Sequence, residues 1–171
     1  MKLVLLGYMG CGKSTVGAFL AKKIKVTFYD LDHEIEKLTQ ISIAELFETK
    51  GEIYFRKIEN KVLTAVLAKN ESFVLSLGGG TPCYYNNYEL LKQKDITSFY
   101  LKASVPNLVK RLSTETEKRP IISAFNSIEL SDFINKHLFD RSYYYHQVDY
   151  VVNIDDQSVI EISNEIIKKL A

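Results

Sequence analysis

The sequence is poor in the features that would mark a secreted, membrane-borne or nucleic-acid-binding chain. Its two cysteines, Cys11 and Cys83, have neither the spacing of a metal site nor the density of a disulfide framework. Basic residues number 22 and acidic residues 21, so no surplus of positive charge is available to follow a nucleic-acid backbone. The apolar run Leu3 to Leu6 stops at Gly7, too short for a signal-peptide core or a bilayer span, and no longer run follows. His33, His137 and His146 form no cluster in sequence and read as incidental. There is no repeat, low-complexity tract or interdomain linker. These absences predict one cytosolic, reduced, monomeric domain over residues 1–171, with neither nucleic acid nor membrane as partner.

What is present suits a globular core: 46% of residues are hydrophobic and 25% charged. Strands are expected at Lys2 to Leu6, Val26 to Tyr29, Phe73 to Leu77, Ser98 to Leu101 and Tyr150 to Ile154. Each is apolar nearly throughout, as in a parallel sheet covered on both faces. Helical stretches separate them, which predicts an α/β fold: a five-stranded parallel sheet flanked by helices in three layers. Ser42-Ile43-Ala44-Glu45 and Ser158-Val159-Ile160-Glu161 have the form of capping boxes and mark two helix starts. After the second, Val159, Ile162, Ile166 and Leu170 keep helical spacing and predict a C-terminal helix packed on the sheet. Residues 113–127 are the one long irregular stretch, polar and of the length that loops reach when they are functional or disordered.

Gly7-Tyr8-Met9-Gly10-Cys11-Gly12-Lys13-Ser14 fits the phosphate-binding pattern G-x-x-x-x-G-K-[ST], directly after a strand and before a helix. Glycines let the backbone curl so that its N–H groups converge on phosphates, and the helix beginning near Lys13 adds the positive end of its dipole. Lys13 is expected on the β- and γ-phosphates and Ser14 on Mg²⁺. A chance glycine-rich turn would not fill all eight positions with both flanks correct. Cys11 lies at a variable position of the loop and carries no chemistry of its own. The motif identifies a nucleotide site without naming a reaction.

The acceptor side is less explicit. Asp30 and Asp32 follow the second strand, and in an extended chain residues two apart face the same side, so both carboxylates can enter one cleft. One would then hold the metal through water while the other meets an acceptor hydroxyl; aspartate is also common where a helix begins. The third strand runs into Gly78-Gly79-Gly80, a bare backbone that a ligand can approach, or a plain turn. No aspartate stands on that strand where many phosphate-loop enzymes carry one; Ser76 is nearby, which favours Asp30 as the metal-side carboxylate. Arg56 lies on a helix able to pack through Phe55, Ile58, Val62 and Val66. Taken singly, Arg56 and Arg141 fit an exposed surface as well as a site. Arg119, fixed in extended geometry by Pro120, is placed to act from a lid of about residues 113–124.

Taken together, these motifs resemble the shikimate kinases over essentially the whole chain. The resemblance rests on the phosphate loop, Asp30-Leu31-Asp32, Ser42-Ile43-Ala44-Glu45-Leu46-Phe47, Gly51-Glu52, Phe55-Arg56-Lys57-Ile58-Glu59, Leu75-Ser76-Leu77-Gly78-Gly79-Gly80, Arg119-Pro120 and Arg141. It implies a phosphate-loop kinase fold with an acceptor-binding helical region at about 31–61, and transfer of the ATP γ-phosphoryl group to the 3-hydroxyl of shikimate. Gly10, Cys11, Gly12, Lys13, Ser14 and Thr15 would hold ATP, with Ser14 on Mg²⁺ and Asp30 near it through water. Asp32 would bind the acceptor hydroxyls and act as base, Arg56 and Arg141 would grip the carboxylate, and Gly79 would add a backbone contact. Arg119 would reach the ATP phosphates, and Gln157, in Asp155-Asp156-Gln157, the adenine. Many family members carry a proline two residues after the second arginine; Tyr143 stands there instead. A kinase for gluconate or a nucleoside monophosphate, and a nucleotide-binding module without catalysis, are the competing readings.

Overall fold

The computed structural model describes residues 1–114 and 125–170. Five strands form one parallel sheet: β1 (Lys2–Leu6), β2 (Thr27–Asp30), β3 (Phe73–Ser76), β4 (Ile96–Lys102) and β5 (Tyr150–Asn153). Their spatial order is β2-β3-β1-β4-β5. The helices are α1 (Lys13–Ile24), α2 (Leu31–Thr39), α3 (Ile43–Leu67), α4 (Asn87–Leu90), α5 (Val105–Ser113), α6 (Ser127–Tyr145) and α7 (Val159–Leu170). Against the sheet, α1 packs with α7 and α5 with α6, while α2 packs with α3 beside β2. The α/β fold expected from the alternating pattern is therefore present.

The central strands explain the stability of this arrangement. Leu3, Val4, Leu5 and Leu6 of β1 and Phe73, Val74 and Leu75 of β3 are wholly buried. A large apolar side chain taken out of water contributes about 1.5–3 kcal/mol. The expectation that every strand is covered on both faces fails at the margins. Thr27 of β2 and Tyr150, Val151 and Asn153 of β5 are exposed, because these two strands are the sheet edges. Strand limits also shift by one or two residues: β2 runs on to Asp30, and β3 stops at Ser76 as the glycines begin.

Helix starts follow local chemistry. Ser42 Oγ accepts the N–H of Glu45, but Glu45 makes no return bond to the Ser42 N–H, and Glu36 Oε1 takes the next amide, that of Ile43. Ser158 and Glu161 form the reciprocal pair expected of a capping box. A further box, unforeseen, joins Asn126 to Glu129 at the head of α6. Without a proline after Arg141, α6 continues to Tyr145, and the N–H of His146 closes on the carbonyl of Ser142. One interruption matters for the site. Gly51 lies inside α3 at φ 78°, ψ 171°, so the two halves of that helix take different directions.

Candidate active site

The loop between β1 and α1 opens at the carboxyl ends of the strands, beside the point where connections from the central strand diverge to left and right. Gly12 caps α1 in the left-handed region (φ 93°, ψ 19°), and no side chain caps that end. The first turn of α1 holds no acidic residue, so its free amides and dipole favour an anion. Lys13 is buried to 8% exposure, its Nζ donating to the carbonyls of Gly7 at 2.9 Å and Tyr8 at 3.0 Å. The Cys11 side chain is buried against Gly7, with its Sγ 3.8 Å from Lys13 Nζ.

Ser14 Oγ donates to Asp30 Oδ2 at 2.5 Å and lies 3.5 Å from Ser76 Oγ. The register that pairs Asp30 with Ser76 across β2 and β3 brings these oxygens level. Among the described residues, no group of three or more His, Cys, Asp or Glu is arranged to hold a metal by itself. One hydroxyl and one carboxylate do suit Mg²⁺, which keeps several waters and takes its other ligands from phosphates.

Asp32 reaches the cleft by a different route from the one expected. The chain is extended only to Asp30, whose Oδ1 accepts the N–H of Asp32 at 3.1 Å and so starts α2. Asp32 thus stands in a first helical turn, not on an extended segment, and Asp30 serves as helix cap as well as cleft carboxylate. Burial pushes the Asp32 carboxyl up to about 6, with Asp30 and Glu59 adding to the rise and Lys13 opposing it. The cleft itself, about 220 Å³, is lined by Met9, Lys13, Ser14, Thr15, Asp30, Asp32 and the backbone of Gly10, Gly12, Gly78 and Gly79.

Both predicted arginines lie against the glycine triplet. A Cβ on Gly80 would fall 2.7 Å from Arg56 Nη2, and one on Gly79 would fall 3.6 Å from Arg141 Nη1. Only glycine admits the first of these approaches. Arg56 pairs with Glu59 at 2.8 Å and Glu52 at 3.4 Å, and its guanidinium lies 4.0 Å from the Tyr84 ring centre. Tyr145, wholly buried, donates its hydroxyl to the carbonyl of Gly79 at 2.5 Å.

Sequence reasoning did not single out Glu59, which is 1% exposed and also accepts from Thr81 Oγ1 at 2.6 Å. A signal existed: Phe55, Glu59, Val62 and Val66 share one helical stripe, and a carboxylate there must be buried with a partner. Arg111 was also missed. Its Nη1 donates to the carbonyl of Cys11 at 3.2 Å, and it shares a pocket of about 340 Å³ with Asn107, Lys110, Thr114, Asp156 and Gln157. Gln157 lines this pocket, its Nε2 donating to the carbonyl of Asn153 at 2.7 Å. Arg119 and most of the anticipated lid lie outside the described residues.

A phosphate loop at the carboxyl edge of a 2-3-1-4-5 parallel sheet, facing an acidic cleft bounded by glycines on which two arginines lie, defines a small phosphate-loop kinase. A family model described as shikimate kinase matches residues 9–171. The chain is 48% identical to a shikimate kinase of Flavobacterium johnsoniae over 170 residues, covering 99% of both chains. A crystal structure of shikimate kinase from Bacteroides thetaiotaomicron superposes with a TM-score of 0.90 at 36% identity, covering 99% of this chain and 97% of that one. A shikimate kinase from Acinetobacter baumannii, in complex with shikimate, gives 0.88 at 30% identity, with 99% and 92% covered. The chain belongs to the shikimate kinase family.

Proposed function

We propose that this protein transfers the γ-phosphoryl group of ATP to the 3-hydroxyl of shikimate. The observation that carries this reading is that Arg141 and Arg56 lie against the consecutive glycines Gly79 and Gly80, the first of which lines the cleft that Asp32 shares with the phosphate loop. Two guanidinium groups beside carboxylate acceptors suit a small hydroxy acid, because arginine binds carboxylates through paired hydrogen bonds. Gluconate is also a hydroxy carboxylate, so the arginines alone do not select between the two acids; membership of the shikimate kinase family favours shikimate.

In this reading the amides of Gly10 to Thr15 and the Lys13 ammonium hold the ATP phosphates. Ser14, and Asp30 through water, would hold magnesium, which would offset the charge of the phosphates. Arg56 and Arg141 grip the acceptor carboxylate, Gly79 offers backbone, and Asp32 holds the attacking hydroxyl and takes its proton. A carboxyl titrating near 6 is better matched to that task than an ordinary aspartate. Arg111 and Gln157 flank the nucleotide base, and Arg119 approaches the phosphates from the lid. Catalysis is positional and electrostatic, with a single chain in the cytoplasm sufficient for it.

A coupled ADP-release assay with shikimate, gluconate and nucleoside monophosphates as acceptors tests the reading. Turnover dependent on shikimate alone is expected. Faster turnover with either of the others would displace it, and ATP binding without any acceptor-dependent turnover would mark a binding module.

A further inference from the structure

His137, without a role in the sequence reading, sits where α6 touches the phosphate loop through a polar contact. Its Nδ1 lies 3.0 Å from the hydroxyl of Tyr8, the residue that follows Gly7. Tyr8 is 1% exposed, and a buried phenol needs a hydrogen-bond partner. Arg141 stands four residues beyond His137, one turn along the same face of α6. Its guanidinium carbon lies 5.5 Å from the centre of the same Tyr8 ring, within range of a cation–π contact. The Tyr8 ring is thus held at its hydroxyl by one residue of α6 and supports another on its face.

The imidazole is itself fixed. The Phe133 ring centre is 4.1 Å away, and Phe125 packs on Phe133 at 5.0 Å. Burial, reinforced by the nearby Arg141 charge, holds the His137 pKa below the ordinary value. A neutral ring with Nδ1 as acceptor lets the Tyr8 hydroxyl donate to it. The same helix therefore supplies the arginine and, one turn earlier, the anchor of the surface on which that arginine rests.

We propose that His137 is a positioning residue for acceptor binding: by holding Tyr8, it sets the guanidinium of Arg141 against Gly79. This inference rests on the reading of Arg141 as a ligand of the acceptor carboxylate. It does not place His137 in contact with either substrate, and it assigns Tyr8 a purpose that the phosphate-loop pattern, which leaves that position open, does not require.

Steady-state kinetics on the full chain test it, with Arg141→Ala measured alongside. His137→Leu removes the acceptor and should raise the shikimate KM about five- to tenfold, the scale of one lost hydrogen bond, while the ATP KM stays within about twofold. Tyr8→Phe should raise the shikimate KM similarly, and the double variant should be no worse than the poorer single one. His137→Asn, whose amide oxygen stands near the place of Nδ1, should return the shikimate KM to within about threefold of the parent. A shikimate KM unchanged in both His137→Leu and Tyr8→Phe, or effects that simply add, would overturn the positioning role. So would equal rises in both substrate KM values for His137→Leu. If that variant fails to fold, Tyr8→Phe and His137→Asn decide alone: a raised KM in the first and a near-parental one in the second support the link, and any other pair refutes it. An unchanged shikimate KM in Arg141→Ala would instead remove the acceptor reading itself.

Discussion

Asp32 stands under two opposed demands. As the proposed base it must be ionised to take a proton, while its burial beside Asp30 and Glu59 disfavours that charge. Its carboxyl titrates at about 6 against an ordinary 3.8. Between those values the folded chain binds more protons than the unfolded one, so this residue's contribution to stability falls as pH rises through about 6. Asp32→Asn should therefore be more stable than the parent at pH 8, by on the order of 2 kcal/mol, and no more stable below about pH 4. Its turnover should fall about a hundredfold or more, and the parent's kcat/KM should decline below about pH 6. Thermal melts at the two pH values, paired with the rate, check this; a variant less stable than the parent at pH 8 would show that Lys13 outweighs the burial. Arg141 makes a simpler case. Loss of a charged, paired contact is worth about 1.5–3 kcal/mol, so Arg141→Ala should raise the shikimate KM about ten- to a hundredfold while the ATP KM barely moves.

At the scale of elements, α3 shows how an apparently regular helix is shaped for a site. It packs with α2, and beyond Gly51 it carries Arg56 and Glu59 to the glycine triplet. The break at Gly51 has φ 78°, ψ 171°, a region that residues with a Cβ enter only at a cost of about 1–3 kcal/mol. An added Cβ there would meet nothing within 4 Å, so the penalty is one of backbone alone. Gly51→Ala should lower the melting temperature by about 2–10 °C, and Gly51→Ser, with a larger side chain, by no more than about the same. Calorimetry on the pair separates this from a packing effect, which would grow with side-chain size. The same helix shows what was legible beforehand. Arg56 stands out only through the family resemblance, whereas the capping serine and the apolar stripe follow from local spacing, which the chain states in consecutive residues. The direction change at Gly51 does not, because a glycine within a helical pattern is compatible with several backbones. Asp30-x-Asp32 was legible as a carboxylate pair but not as a helix start, since two aspartates fit both geometries. Arg111 on Cys11 and His137 on Tyr8 join residues 100 and 129 positions apart, and no periodicity encodes such contacts.

In the proposed reading nucleotide and acceptor occupy two recesses of one cleft at the carboxyl ends of the strands, and the stability of the molecule should report their occupancy separately. A ligand bound only by the folded chain stabilises it by RT ln(1 + [L]/Kd), about 2.7 kcal/mol at a hundredfold excess over Kd. For a chain of this size that corresponds to a rise of roughly 5–10 °C in melting temperature. ATP with magnesium should produce such a rise through the amides of the loop and Lys13, and Lys13→Ala should lose most of it. Shikimate should produce its own shift, which Lys13→Ala retains and Arg141→Ala loses. The crossed pattern is the informative result, because a variant that was merely loosened would lose both shifts in proportion. The two recesses share Lys13, Asp32 and the backbone of Gly79 along one cleft, so some coupling is expected as well. Added together, the two ligands should raise the melting temperature by more than the sum of the separate shifts if each orders what the other needs. A sum without excess would mean that the recesses are built independently by the loop and by the glycine triplet, and that the sheet alone holds them in register.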